Sequence, residues 1–290
     1  MTPTLRIAGV PEHFNLPWQL AIEHGDFEAA GLSVEWHFNK AGTGSLSAAL
    51  RDEEVDVAVV LTEGIVAAIG NGLEARIVKS WVTSPLIWGI HTGTDSVVQD
   101  LSNTEDNKIA ISRPGSGSHL MALIDAENRR QPIKPENLVV VTDLDGAVRS
   151  LQANETQLFY WEKFMTKPLV DKGILRRVGK IHTPWPSFMI AAGNRALREK
   201  GEAIHTLLDV ITERSRQFSQ SADAVPLLMN RFGMKSEDVS LWLRHTRWST
   251  DYTLSASMLR GVQEALMRVG TLKKAIEPGQ LCAPGVLLEE

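Results

Sequence analysis

Short apolar runs alternate with segments of helical periodicity through residues 5–178. The apolar runs predict strands over 5–10, 32–38, 56–61, 75–81, 86–91, 108–112, 138–141, 157–160 and 174–178. The intervening periodic segments predict helices over 16–30, 46–51, 64–69, 120–130 and 147–152. Strands that alternate with helices are typical of an α/β fold with mostly parallel strand pairing.

The last hundred or so residues have a different pattern. Helical periodicity dominates over 199–219, 223–232, 236–243 and 253–269, with few strand candidates. We therefore expect a helical C-terminal portion that packs against a sheet formed by the preceding chain.

Two Gly/Ser-rich turns follow predicted strands and precede predicted helices. The sharper turn is 113–119, Arg-Pro-Gly-Ser-Gly-Ser-His, and the other is 39–45, Asn-Lys-Ala-Gly-Thr-Gly-Ser. Glycines permit a tight turn, and the free N–H groups at a helix start attract anions or polar groups. Two such turns that face each other would bind a small molecule from both sides, although most turns of this composition only connect elements.

Composition excludes several classes of function. The net charge of −5 gives no basic footprint for nucleic acid, and no apolar run reaches the roughly 18 residues needed to span a membrane. Cys282 is the only cysteine, so an intramolecular disulfide or a multi-cysteine metal site is excluded. The dinucleotide and P-loop fingerprints and paired-histidine metal motifs are also missing, and we expect neither a cofactor nor a metal.

The amino-terminal residues bear on location. Residues 1–4 lead directly into the first predicted strand. The basic segment, the apolar segment and the cleavage site of a secretory signal peptide are not recognisable there. The expectation is a cytoplasmic protein, or a periplasmic one if an export leader has been removed.

Five segments in order carry a family resemblance, namely 7–10, 21–32, 48–58, 109–119 and 147–162. With these segments the chain resembles type 2 substrate-binding proteins of the nitrate/sulfonate/taurine class, the ligand receptors of ABC importers. It also resembles yeast-type thiamine-pyrimidine synthases. It departs from the receptors in its missing leader, and from the synthases in having Cys282 instead of a cysteine-rich iron motif. The resemblance thus indicates a leaderless intracellular relative.

The resemblance implies a type 2 periplasmic-binding-protein fold with two α/β lobes and a ligand cleft between them. Lobe one would comprise residues 1–89 and 183–290, and lobe two would be the insertion 90–182. The crossovers would lie near 89–91 and 181–184, and the lobes would close about this hinge.

Candidate ligand-binding residues follow the predicted strands, because ligands of open α/β sheets bind at the carboxyl ends of strands. In lobe one they are His13, Phe14, Thr43, Ser45, Thr62, Glu63 and Trp81. In lobe two they are Ser116, Ser118, His119, Gly146, Trp161 and Glu162. Alternatives stay open for several: Phe14 and Trp81 as core residues, and Glu63 as a helix cap.

The function these features favour is binding of a small polar or anionic metabolite between the lobes. A transporter or a signalling protein is an implied partner. An alternative is a lyase or other metabolite-converting enzyme on the same scaffold, with His13, His119 and Glu162 as proton-transfer groups. Glu63 and Glu162 as paired carboxylates would suit that chemistry or cation recognition.

Overall fold

The structure, a computed structural model, describes residues 2–290. Its strands are β1 (Thr4–Gly9), β2 (Ser33–Phe38), β3 (Val57–Leu61), β4 (Ala75–Val82), β5 (Ile87–Gly93), β6 (Ile109–Ile111), β7 (Leu138–Val140), β8 (Leu158–Glu162), β9 (Leu175–His182), β10 (Phe188–Gly193), β11 (Thr253–Ser255) and β12 (Leu287–Glu289). Its α-helices are α1 (Leu16–Glu23), α2 (Asp26–Ala29), α3 (Thr43–Arg51), α4 (Thr62–Gly70), α5 (Gly117–Arg129), α6 (Leu144–Gln152), α7 (Lys167–Asp171), α8 (Asn194–Gln220), α9 (Ala224–Phe232), α10 (Ser236–His245), α11 (Ala256–Arg268) and α12 (Pro278–Leu281).

Two five-stranded sheets organise the molecule. The first has the order β2-β1-β3-β10-β4, and the second has the order β7-β6-β8-β5-β9. Every residue of β3 and β10 is buried, as expected for apolar strands covered on both faces. Helices flank both sheets, so the predicted two-lobed α/β fold with a helical C-terminal portion is confirmed.

The sheets are mixed, and the expectation of mostly parallel pairing is wrong. β1 pairs in parallel with β2 and β3, but β10 runs antiparallel to both β3 and β4. In the second sheet, β5 likewise runs antiparallel to β8 and β9. The reason lies in the connections, because β5 and β10 enter their sheets directly from a strand of the other sheet.

Those two connections are short and lie side by side. Residues 83–86 lead from β4 to β5, and residues 183–187 lead from β9 to β10. Leu86 N donates to Thr183 Oγ1 (2.9 Å), and Thr183 N donates to the Leu86 carbonyl (3.0 Å). The chain therefore passes from the first sheet to the second and back through these two connections.

Local chemistry accounts for other departures from the predicted elements. The predicted helix 16–30 is two helices, because Gly25 takes a left-handed conformation with φ of 71° between them. The predicted helix 253–269 begins as strand β11 and becomes helical only after Ser255, whose Oγ accepts from Met258 N. Strand β10 was missed altogether, although its residues form a continuous apolar run.

Among the described helices, none combines the length and apolarity needed to cross a membrane.

Candidate functional site

A cavity of about 230 Å³ lies between the two sheets. The first sheet and its loops contribute Val10, Pro11, Glu12, Lys40, Ala41, Gly42, Thr43, Leu61, Leu86 and Phe188. The second contributes Trp88, Ser112, Ser116, Gly117, Ser118, Asp143, Leu144, Asp145, Trp161, Glu162 and Met165. Most of these residues follow strands β1, β2, β3, β6, β7 and β8, so the cavity lies at the carboxyl ends of parallel strands.

The turn before α3 forms one wall. Gly42 has φ of 77° and precedes Thr43, the first residue of the helix. Thr43 Oγ1 accepts from Leu61 N at 3.0 Å, which ties this turn to the end of β3. The start of α3 therefore faces the cavity in a fixed position, with its first N–H groups unpaired within the helix.

The turn before α5 forms the opposite wall. Ser116 caps this helix by accepting from His119 N, and Ser118 Oγ accepts from Ser112 N at 2.9 Å. A Cβ on Gly117 would lie within 2.6 Å of Leu61 and Trp88 side-chain atoms, so the two lobes touch closely here. The hydroxyls are occupied by the turn itself, which leaves backbone N–H groups to meet a ligand.

Arg113 crosses from lobe two to lobe one. Its guanidinium donates to the carbonyls of Ala41 and Gly42, the latter at 3.0 Å, while its Nε is buried without a partner. Burial lowers the pKa of Arg113 below its usual value. The residue thus links the two Gly-rich turns.

Apolar and aromatic side chains form the rest of the lining. Trp161 stacks on Phe159 with ring centroids 5.2 Å apart, and Trp88, Leu86, Phe188 and Met165 complete the surface. Flat aromatic surfaces of this kind suit a planar or apolar ligand body.

Two glutamates, Glu12 and Glu162, belong to this mostly apolar lining. Glu162 is 3% exposed, and its Oε2 accepts from Phe164 N and Met165 N at 2.8 and 2.7 Å. Burial, and secondarily the Glu12 charge, raises the pKa of Glu162 well above its usual value. Burial also raises the pKa of Glu12 to about 7.

His13 and Phe14 lie behind the cavity wall. The His13 ring is fully buried, 4.4 Å from Trp242 and 4.6 Å from Phe14, and its Nε2 lies 3.8 Å from Glu162 Oε2. Burial lowers the pKa of His13 to about 3, so the ring is neutral at physiological pH. Phe14 packs on Phe188, which does line the cavity.

Thr62, Glu63 and Trp81 are fully buried in lobe one. Glu63 Oε2 accepts from Trp185 Nε1 at 2.8 Å, while its Oε1 has no partner, and burial raises its pKa to about 7. Trp81 donates to Asn15 Oδ1 at 3.2 Å and packs on Trp18. None of the three residues lines the cavity.

Three further predicted residues support the turns. Ser45 Oγ accepts from Asn39 Nδ2 at 2.9 Å, and His119 Nδ1 accepts from Gly115 N at 3.0 Å. Gly146 N donates to Asp143 Oδ1 at 2.8 Å, and a Cβ there would lie 1.9 Å from the Val141 carbonyl oxygen. Of the thirteen predicted residues, the cavity lining contains Thr43, Ser116, Ser118, Trp161 and Glu162. The ligand contacts of all thirteen stay predictions.

Sequence reasoning missed Glu12, Asp143 and Trp88. Glu12 and Asp143 lie just beyond β1 and β7, so the strand-end rule that selected His13 and Glu63 applies to both equally. Trp88 lies within β5, which pairs antiparallel with β8, and the strand-end rule does not apply to it.

No group of His, Cys, Asp or Glu with metal-binding geometry is found within residues 2–290.

Solved structures of other proteins share this architecture over nearly the whole chain. A Candida albicans protein, the CA3427 gene product, is described as defining a new family with the generic periplasmic-binding-protein fold. It is 25% identical, with a TM-score of 0.88 over 99% of this chain and 98% of its own. This chain has the periplasmic-binding-protein fold.

Other proteins of the periplasmic-binding-protein fold are more distant in sequence. The alkanesulfonate-binding protein SsuA of Xanthomonas axonopodis pv. citri, bound to MOPS, is 15% identical with a TM-score of 0.79 over 97% of this chain and 98% of its own. A ligand-binding component of an ABC-type import system from Staphylococcus aureus, with zinc bound, is 11% identical with a TM-score of 0.73 over 98% of this chain and 97% of its own.

The family model of Ca3427-like periplasmic-binding proteins matches residues 88–181. This segment contains β6 to β8 and all but one residue of β5 and of β9, so the sequence match covers nearly all of the second sheet and its helices. A comparison with curated proteins finds no match.

Proposed function

We propose that this protein binds a small polar molecule in the cavity between its lobes and that the lobes close on it. The observation that carries the proposal is the cavity itself, which is lined from both sheets and lies beside two adjacent connections. Ligand sites are concave, mostly apolar and equipped with a few converging polar groups, and this cavity has each property.

The likeness to other ligand-binding proteins supports the same proposal. SsuA is described as alkanesulfonate-binding, and the Staphylococcus aureus protein as the ligand-binding component of an importer. A transporter or signalling partner for this chain, and its cytoplasmic location, stay predictions. No metal or cofactor is needed for binding of this kind.

The first test is to purify the protein from its native host, denature it and identify the released small molecules by mass spectrometry. We expect one intact metabolite in stoichiometric amount. A substrate–product mixture would indicate an enzyme instead.

A matched pair of variants places the binding in the cavity. Trp161→Ala removes an aromatic wall and is expected to abolish retention of the metabolite. Phe38→Ala removes a 54% exposed aromatic ring outside the cavity and is expected to retain it. Equal retention by both variants would refute the proposed site.

A further inference from the structure

Acidic side chains outnumber basic ones in the cavity lining. Four carboxylates, Glu12, Asp143, Asp145 and Glu162, face a single lining ammonium, Lys40. Lys40 and Asp145 are exposed, and Glu12 and Asp143 are partly exposed, whereas Glu162 is buried, with an exposed fraction of 3%. The buried part of the lining therefore contains one acidic group, Glu162, and no basic group.

Glu162 is held in place and incompletely paired. Two backbone N–H groups fix its Oε2, while its Oε1 accepts no hydrogen bond from any residue within 2–290. Oε1 is not fully enclosed by protein, so a donor group on a ligand in the cavity can reach it.

Glu12 adds a second carboxylate to the same cavity. Its side chain makes no hydrogen bond or ion pair with the residues that the structure describes, and its charge raises the pKa of Glu162. Like charges at close range disfavour double ionisation, and a positive charge between them removes this penalty.

Neither Arg113 nor Lys163 forms an ion pair with Glu12 or Glu162, although the charge of Lys163 favours the ionised form of Glu162. Arg113 is engaged with the carbonyls of lobe one, and the Lys163 ammonium lies 4.8 Å from the Phe164 ring centroid. His13, which lies against Glu162, is neutral because burial lowers its pKa to about 3.

We propose that the cleft selects a small molecule with a flat apolar body and a positively charged nitrogen group, and that Glu12 and Glu162 bind this nitrogen. The inference rests on the proposed function and gives its ligand a chemical class. Trp88 and Trp161 provide the surface for the body, and aromatic faces attract cations as well. The starts of α3 and α5 would then receive an acceptor atom on the same ligand.

The test uses three probes with one aryl body: benzamidine, which is cationic, benzamide, which is neutral, and benzoate, which is anionic. Binding is measured by isothermal titration near pH 7.5. We expect benzamidine to bind at least about tenfold more tightly than benzamide, and benzoate to bind most weakly, because charge-assisted hydrogen bonds are about twice as strong as neutral ones.

Variants assign the preference to the two glutamates. Glu12→Gln and Glu162→Gln are each expected to abolish most of the benzamidine preference. The amide oxygen that Glu162→Gln introduces can still accept from both backbone N–H groups, so the local fold is retained. Glu264→Gln removes an exposed carboxylate on α11 and is expected to leave the preference unchanged.

Proton release provides an independent readout. Titration in buffers of different ionisation enthalpy should show that protons are released when benzamidine binds, because Glu12 and Glu162 must ionise to pair with it.

The outcomes separate the inference from the proposed function. Tighter binding of benzoate than of benzamidine, at the same cavity and unaffected by Glu162→Gln, would overturn the inference and leave the proposed function standing. Binding of none of the three probes at millimolar concentration, together with no retained metabolite, would overturn both.

Discussion

Replacing Glu63 by glutamine should change how the stability of the protein depends on pH. Glu63 is fully buried, with Trp185 Nε1 donating to its Oε2 and no partner for its Oε1. Burial raises its pKa from 4.5 to about 7. The folded state therefore binds a proton more tightly than the unfolded state does.

The sign and size follow from this shift. A raised folded pKa contributes stability that is complete below the unfolded value of 4.5 and is lost as the pH rises through about 7. At about 1.4 kcal/mol per pKa unit, the contribution of Glu63 falls by about 2.5 kcal/mol between about pH 5 and about pH 8. Glutamine has the same shape, retains an acceptor for Trp185 and does not titrate, so Glu63→Gln removes this loss.

The assay is the free energy of unfolding from urea titrations followed by circular dichroism at several pH values. The parent and the variant share the contributions of Glu12 and Glu162, so the difference between their slopes isolates Glu63. Glu264→Gln serves as the exposed control. A Glu63→Gln variant with the slope of the parent protein would refute the reasoning.

Two further predictions concern backbone space and lobe closure. Gly146→Ala places a Cβ 1.9 Å from the Val141 carbonyl oxygen and should destabilise the fold by about 3 kcal/mol. Gly261→Ala, at an exposed position of α11, meets no atom within 4 Å and should stabilise the fold by about 0.5–1 kcal/mol. The same urea titrations measure both variants, and similar effects of the two would contradict the geometry. Arg113→Ala removes the contact with the Ala41 and Gly42 carbonyls and should increase the radius of gyration, measured by small-angle scattering without ligand. Arg149→Ala on α6 serves as the control and should leave the radius unchanged. An unchanged radius in both variants would show that Arg113 does not hold the lobes together.

Much of the fold could be predicted because its signals are local. The buried run of β3 and the turn before α5 were recognisable from residue type and spacing alone. Strand β10 is also a local apolar run, but it lies between the predicted strand 174–178 and the helical portion that begins at 199, and it was assigned to neither. Its place between β3 and β4 depends on pairing with segments more than a hundred residues earlier in the chain.

The candidate site was harder to predict for the same reason. Strand-end position suggested Glu162 and Thr43, which line the cavity, and also His13 and Glu63, whose side chains turn into lobe one. Position along a strand is a property of the sequence, but the direction of a side chain depends on the neighbours that pack around it.

The sequence by itself determined the class of fold, many of its elements and the two Gly-rich turns, because periodicity, capping and backbone freedom act over a few residues. Only the tertiary structure decided that Arg113 reaches the carbonyl of Ala41, 72 residues earlier, and that Glu12 and Glu162 share one cavity. These contacts join residues on different sheets, and no local pattern specifies the distance or the charge balance between them.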